Sequence, residues 1–260
     1  WGILVPKLLE KLGVECIKLY CDPNGEFPHN PEPLPENLQE ISKMVISTNS
    51  DLGIVVDPDV DRLALVCEDG SMFGEEYTLV SVSDYVLSKT PGNTVSNLSS
   101  TRALADITKK YNCEYHASAV GEVNVVEKMK LCNAVIGGEG NGGVIYPELH
   151  YGRDALVGIA LFLSNLAEKN ISSLNLRNSY PNYFISKNKL DLDPNTDIDY
   201  IFSHLKNKYS KNDINLVDGL KIDFDFGWVH LRRSNTEPII RIYSESSSKE
   251  KADELAMDFV

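Results

Sequence analysis

Residues 57–62 read Asp-Pro-Asp-Val-Asp-Arg and lie between two short apolar runs, at residues 54–56 and 63–66. Short apolar runs of this kind are typical of buried strands, so the segment predicts a strand–loop–strand unit. Alternate residues of an extended loop point the same way, so Asp57, Asp59 and Asp61 are expected to converge on one point. Hard cations such as Mg²⁺ prefer oxygen ligands, and Arg62 adds a guanidinium suited to phosphate. The hexapeptide therefore predicts a divalent-cation site bridged to an anion and favours a phosphoryl-handling enzyme.

Two other interpretations of the hexapeptide stay open. Asp and Pro together also form solvated turns without a ligand. A calcium loop is the sharper rival, because Glu68 stands at the twelfth position counted from Asp57, as in an EF-hand. That loop requires Gly where Arg62 stands, and it requires flanking helices where the sequence predicts strands. The strand–loop–strand cation site is preferred for these reasons.

Composition limits the classes of function. The chain has 260 residues and a formal net charge of −13, which disfavours binding to nucleic acid. No apolar run approaches the roughly 20 residues that span a bilayer, so no membrane segment is expected. Five scattered cysteines fit reduced thiols and a cytoplasmic protein. The start at Trp1 and the stop inside a helical pattern indicate a fragment of a longer protein.

Strand and helix patterns alternate along most of the chain, which predicts an α/β fold with mixed sheets covered by helices. A cluster of Ser, Asn and Pro at residues 172–182 predicts a linker, and a smaller α+β domain is expected after it. The predicted domains are residues 1–72, which carry the acidic loop, residues 73–178, and residues 183–260.

A second candidate site is the glycine-rich stretch at residues 137–143, which contains Glu139 and Asn141. Glycines let a ligand approach the backbone closely. A carboxylate and an amide at alternate positions suit the vicinal hydroxyls of a sugar. A plain glycine turn is the alternative.

A third candidate site is the segment at residues 232–238, Arg-Arg-Ser-Asn-Thr-Glu-Pro. Hydroxyl, amide and backbone N–H groups in a tight turn form an anion-binding concavity. Arg232 and Arg241 flank that turn and can clamp a phosphate. The residues assigned to this site are Arg232, Ser234, Asn235, Thr236 and Arg241. An ordinary polar hairpin is the alternative.

The order of these motifs, D-x-D-x-D-R, G-E-x-N-G-G and R-x-S-N-T-E-P-x-x-R, resembles that of the α-D-phosphohexomutase superfamily, which includes phosphoglucomutase, phosphomannomutase and phosphoglucosamine mutase. The resemblance implies an isomerase that moves phosphate between O1 and O6 of a hexose through a phosphoserine and a bisphosphate intermediate. It implies Mg²⁺ on Asp57, Asp59 and Asp61, Arg62 facing the phosphoserine, and sugar hydroxyls on Glu139 and Asn141. The third segment would hold the non-reacting phosphate, and a hexose 1,6-bisphosphate would act as activator.

The chain departs from the family pattern in several places. The family's serine motif is absent, so the N-terminal serine domain of the same protein is the expected partner, and the 260 residues alone are expected to be inactive. Gly143 stands where many members have His, and Glu122 stands where several have His. His150 is a candidate proton carrier. A non-catalytic sugar-phosphate-binding module and a calcium-binding protein are the alternative functions.

Overall fold

The computed structural model describes residues 2–193, 196–234 and 237–260. Helices and strands alternate through the first two-thirds of the chain, and an antiparallel sheet with two helices follows. The predicted fold class, α/β followed by a smaller α+β unit, is confirmed.

The amino-terminal unit carries the acidic loop on a β-hairpin. Strands β1 (Leu52–Val56) and β2 (Leu63–Cys67) pair antiparallel, with Val56 opposite Leu63. Helices α1 (Leu4–Lys11) and α2 (Gln39–Thr48) accompany them, with a short 3₁₀ turn at Pro35–Asn37. Every residue of β2 is buried, so the hairpin is fixed against the next unit and not free in solvent.

The middle unit is a four-stranded mixed sheet with the order β4–β3–β5–β6, in which β3 pairs parallel with both β4 and β5. The carboxyl ends of these parallel strands therefore meet at one edge, where ligand sites of α/β sheets usually form. The strands are β3 (Thr94–Asn97), β4 (Tyr115–Ser118), β5 (Ile136–Glu139) and β6 (Gly143–Ile145). The helices are α3 (Glu75–Lys89), α4 (Ala103–Lys110), α5 (Glu122–Cys132), α6 (Ala155–Lys169) and α7 (Ser173–Asn178).

Two local features of this unit depend on burial and on helix capping. Helix α3 is buried along most of its length, including the small polar residues Thr78, Ser81 and Ser83. Its buried Asp84 is paired with Lys110 and Lys169, so the charge is compensated. The predicted linker at residues 172–182 contains α7, which starts at the capping hydroxyl of Ser172.

The carboxyl-terminal unit is an antiparallel sheet with the order β7–β11–β10–β9–β8. Its strands are β7 (Phe184–Asp191), β8 (Asp213–Asn215), β9 (Leu220–Phe224), β10 (Gly227–Arg233) and β11 (Ile239–Ser246), and its helices are α8 (Ile198–Lys208) and α9 (Lys249–Met257). A separate apolar core holds this sheet to its helices, whereas the first two units share one core.

A buried polar contact joins the last two units. The carboxylate of Glu245 accepts hydrogen bonds from Trp228 Nε1 (2.7 Å) and from the backbone N–H of Arg102 (3.1 Å). The Arg102 guanidinium donates to the carbonyl oxygen of Phe224 at 3.2 Å. Because Glu245 and Trp228 are fully buried, this contact fixes β10 and β11 against the start of α4. Among the described helices, none combines the length and apolarity needed to cross a bilayer.

Candidate functional site

The acidic loop is a folded turn and not an extended segment. Val60 has a left-handed backbone (φ 60°), and its carbonyl accepts the N–H of Ala155 at 3.0 Å. Asp57 Oδ1 accepts the backbone N–H groups of Asp61 (3.1 Å) and Arg62 (3.0 Å). The carboxylates therefore converge because the chain turns around Asp57, and the alternation expected of an extended loop is not the cause. A β-branched residue in this conformation is strained and needs support from its surroundings.

The three carboxylates suit a divalent cation. One ligand oxygen from each of Asp57, Asp59 and Asp61 lies within 4.8 Å of the others. Asp61 Oδ1 is buried, and no described residue donates a hydrogen bond to it. Burial and the neighbouring Asp57 raise the pKa of Asp61 to about 6, although Arg153 acts in the opposite direction. Three converging carboxylates fit a hard cation such as Mg²⁺, for which these three residues would be the ligands.

The calcium-loop interpretation is not supported. The carboxylate of Glu68 accepts hydrogen bonds from Ser173 Oγ (2.6 Å) and from the N–H of Leu174 (2.9 Å), at the start of α7. These bonds lower the pKa of Glu68 to about 2 despite partial burial. Glu68 therefore caps a helix, and the acidic loop lies between strands, whereas an EF-hand lies between helices.

The glycine-rich stretch forms a tight hairpin between β5 and β6. Glu139 is the last residue of β5, and Gly142 makes the turn with φ +85°. The carbonyl of Gly142 accepts the N–H of Leu63 at 3.1 Å. Leu63 directly follows the acidic loop, so a backbone hydrogen bond already connects the first and second candidate sites.

Glu139 is the centre of a polar network at the sheet edge. Its Oε1 accepts hydrogen bonds from Asn97 Nδ2 (2.9 Å) and the N–H of Gly121 (3.1 Å), and its Oε2 is paired with Arg153 Nη1 (2.9 Å). Asn141 uses its Oδ1 to accept the N–H of Gly143 (3.2 Å) within the hairpin. Glu139 is thus held in one orientation, and Asn141 shapes the turn beside it.

Arg153 is a site residue that the sequence interpretation missed. Its Nη2 is hydrogen-bonded to Asp61 Oδ2, while its Nη1 is bonded to Glu139. One guanidinium thereby joins the acidic loop to the glycine-rich hairpin. The sequence did contain a signal for this residue. Arg153 immediately precedes Asp154, the N-cap of the long helix α6, and the start of a helix fixes the backbone next to it.

The third candidate site is the hairpin between β10 and β11. Arg232 and Arg241 lie directly opposite each other in the register, so both side chains are on one face of the sheet. Arg241 is paired with Glu237 at 3.6 Å, and the N–H of Glu237 donates to Ser234 Oγ at 3.3 Å. The predicted residues Asn235 and Thr236 lie outside the described residues.

A continuous path connects this hairpin to the other two sites. The backbone N–H of Val120 donates to Asp218 Oδ2 at 3.0 Å, and that oxygen lies 3.5 Å from Arg232 Nη1. The next residue, Gly121, donates its N–H to Glu139. Contacts thus run from Asp61 through Arg153 and Glu139 to residues 120–121, Asp218 and Arg232.

His230 is a buried residue that contacts the segment carrying Asp218. Its Nε2 contacts the carbonyl oxygen of Asp218 at 2.6 Å, and its Nδ1 contacts Ser99 Oγ at 2.9 Å. Burial lowers the pKa of His230 to about 4, so the ring is neutral near pH 7. This histidine therefore supports the segment that carries Asp218, with no charge of its own.

The remaining predicted residues have different surroundings. The Arg62 guanidinium lies 2.5 Å from Glu32 and 3.5 Å from Asp57, at the rim of the acidic loop. His150 is about half exposed and contacts the N-cap carboxylate of Asp154 at 3.0 Å. Arg62 is therefore adjacent to the cation ligands, whereas His150 is bonded to the start of α6.

Three family models match the chain in order. They are described as the alpha/beta/alpha domain II, the alpha/beta/alpha domain III and the C-terminal domain of phosphoglucomutase/phosphomannomutase, and they cover residues 2–70, 74–183 and 202–260.

Similar proteins were found in sequence and in structure. A probable phosphoglucosamine mutase of Methanopyrus kandleri is 34% identical over 100% of this chain and 58% of the relative. A phosphoglucomutase/phosphomannomutase of Thermococcus kodakarensis is 35% identical over 97% of this chain and 56% of the relative. The crystal structure of a phosphoglucomutase/phosphomannomutase family protein from Burkholderia thailandensis superposes with a TM-score of 0.86 at 28% identity, over 99% of this chain and 56% of that one. The chain thus spans little more than half the length of the proteins it matches.

Proposed function

The chain belongs to the α-D-phosphohexomutase superfamily, and on that basis we propose that its full-length protein interconverts hexose 1-phosphates and hexose 6-phosphates. The observation that carries the proposal is the path of contacts from Asp61 through Arg153 and Glu139 to Asp218 and Arg232. This path supports the proposal that the three candidate sites act on one ligand. The relatives' names support phosphate esters of glucose, mannose or glucosamine as substrates.

Phosphoryl transfer depends mainly on positioning and on neutralising the charge of the transferred group. A Mg²⁺ ion held by Asp57, Asp59 and Asp61 would supply that neutralisation at the reacting phosphate. Arg62, at the rim of the acidic loop, would orient the phosphoryl donor with its guanidinium. The donor is a phosphoserine from the serine domain of the same protein, and a hexose 1,6-bisphosphate serves as intermediate and activator.

The rest of the cleft would bind the sugar and its second phosphate. Glu139 would accept hydrogen bonds from the sugar hydroxyls, and the Asn141 amide would donate to them. Arg232 and Arg241, with Ser234, Asn235 and Thr236, would hold the phosphate that does not react. Because either phosphate of the bisphosphate can be the one that does not react, these residues would bind the sugar phosphate in both of its orientations.

The sugar hydroxyl that accepts the phosphoryl group must lose its proton to a general base. His150 is proposed for this role because its ring is half exposed and bonded to Asp154, which fixes its orientation. The domain limits 1–72, 73–178 and 183–260 are also proposed, together with a cytoplasmic location.

The test is a ³¹P NMR assay of the full-length protein with Mg²⁺ and a catalytic amount of hexose 1,6-bisphosphate. We expect conversion of at least one of the 1-phosphates of glucose, mannose or glucosamine. Asp59→Asn should abolish most of it, whereas Lys89→Gln, which breaks an exposed ion pair with Glu168, is the matched control and should not. Binding of these sugar phosphates without any conversion would instead identify a non-catalytic binding module.

A further inference from the structure

Arg153 contacts acidic residues from three different parts of the fold. Its guanidinium is bonded to Asp61 in the acidic loop and to Glu139 at 2.9 Å, and its Nε lies 3.5 Å from Glu122 at the start of α5. Its backbone N–H also donates to Glu122 Oε1 at 2.8 Å. The side chain is only 14% exposed, so these contacts are sheltered from water and retain more of their strength than surface pairs.

The bonds of Arg153 decide which carboxylate oxygens are left for ligands. Arg153 occupies Oδ2 of Asp61, and the oxygen without a hydrogen-bond donor is Oδ1. Arg153 also occupies Oε2 of Glu139, while Asn97 and Gly121 occupy Oε1. The guanidinium thus leaves Oδ1 of Asp61 available to a cation and fixes the orientation of Glu139 at the same time.

Gly143 provides the space that Arg153 needs. A Cβ atom at position 143 would lie 2.5 Å from Cδ of Arg153 and 3.2 Å from its Cγ. Any larger residue would therefore push the arginine away from its partners. Glu122 and Gly143 are both positions at which the chain departs from the family pattern, and both contact Arg153. The two departures thus have one structural explanation.

We infer that Arg153 is a positioning residue for the sugar-phosphate reaction, which makes the cation ligands and the sugar-binding carboxylate a single unit. The inference rests on the proposed function and adds a residue that connects the proposed cation site to the proposed sugar site. Without this guanidinium, Asp61 and Glu139 would lose the positive charge that they share, and the added net negative charge would repel a phosphorylated sugar. Removal of a residue that hydrogen-bonds to a metal ligand typically lowers metal affinity or activity by about 10- to 100-fold.

The test compares Arg153→Gln, Gly143→Ala and the double variant in the full-length protein at saturating Mg²⁺. We expect KM for the hexose phosphate to rise about 10-fold or more in each single variant, with a much smaller change in kcat. The double variant should be no worse than Arg153→Gln alone, because Gly143→Ala acts by displacing the arginine. Arg153→Lys should restore part of the loss, since it keeps the charge but cannot bridge two carboxylates.

A second measurement does not depend on turnover. Amide hydrogen exchange should become faster in both residues 57–62 and residues 139–143 in Arg153→Gln and in Gly143→Ala, and in neither segment in the control Lys89→Gln. Faster exchange near position 153 alone, or additive effects of the two substitutions on KM, would overturn the inference. If the wild type converts no hexose phosphate, the proposed function fails, and the exchange pattern still decides the role of Arg153.

Discussion

Asp57 has two separable roles, and substitutions at this position should distinguish them. Its Oδ1 accepts the N–H groups of Asp61 and Arg62, and the residue is 4% exposed. Asp57→Ala removes both bonds, and at about 1–1.5 kcal/mol for each, the free energy of unfolding should fall by about 2–3 kcal/mol. Asp57→Asn keeps an acceptor oxygen and relieves repulsion within the acidic triad, so its stability should remain within about 0.5 kcal/mol of wild type.

Asp59 is the matched control for this prediction. It belongs to the same triad but is exposed, and no hydrogen bond to its side chain is found among the described residues. Asp59→Ala should therefore leave stability within about 0.5 kcal/mol of wild type. All three substitutions should nevertheless weaken Mg²⁺ binding, because each removes a charged ligand.

The assay is urea unfolding with EDTA present, followed by titration of the folded proteins with Mg²⁺ in a calorimeter. Working without metal ensures that lost ligand binding does not lower the apparent stability. If Asp57→Ala and Asp59→Ala unfold at the same urea concentration, or if Asp57→Asn is as unstable as Asp57→Ala, the proposed capping role is refuted.

Three further predictions concern other parts of the site and its support. Burial raises the pKa of Glu76 well above its ordinary value, so the folded protein binds a proton that the unfolded chain releases, and stability falls as pH rises above about 4.3. Glu76→Gln should flatten this fall in thermal melts from about pH 5 to about pH 8, and an unchanged slope would contradict the assignment. Trp228→Phe removes the donor to buried Glu245 and should cost about 1–3 kcal/mol in urea unfolding, whereas a neutral effect would mean that the bond contributes little. Gly142→Ala forces a side chain onto φ +85° against the carbonyl oxygen of Leu63, so a loss of about 1–3 kcal/mol is expected, and wild-type stability would show that the turn can relax.

The strand–loop–strand unit and the order of the three motifs follow from local sequence. Apolar runs on both sides of residues 57–62 become β1 and β2, and the acids must lie at the connection. Likewise, the arginines at 232 and 241 flank a turn segment, so their placement on paired strands needs only the hairpin to form. Both features depend on residues close together in the chain, which is why sequence patterns predict them.

Other features depend on contacts that no local pattern encodes. Helix α3 is buried along most of its length because α4 and α6 pack against it. The raised pKa of Glu76 has the same origin, because burial by distant segments causes it and the spacing of residues near position 76 does not. The convergence of the three carboxylates was predicted, but its cause, the turn around Asp57 with Val60 in a left-handed conformation, was not.

By itself, the sequence determined the fold class, the family and the chemical character of each loop, since these follow from residue types and their spacing. Only the tertiary structure decided that a path of polar contacts connects these loops. Asp61 meets Arg153 across 92 positions of chain, and Val120 meets Asp218 across 98. Such pairs form only when the sheet edge, the start of α6 and the last unit are packed together, because packing of whole elements sets which distant charges become neighbours.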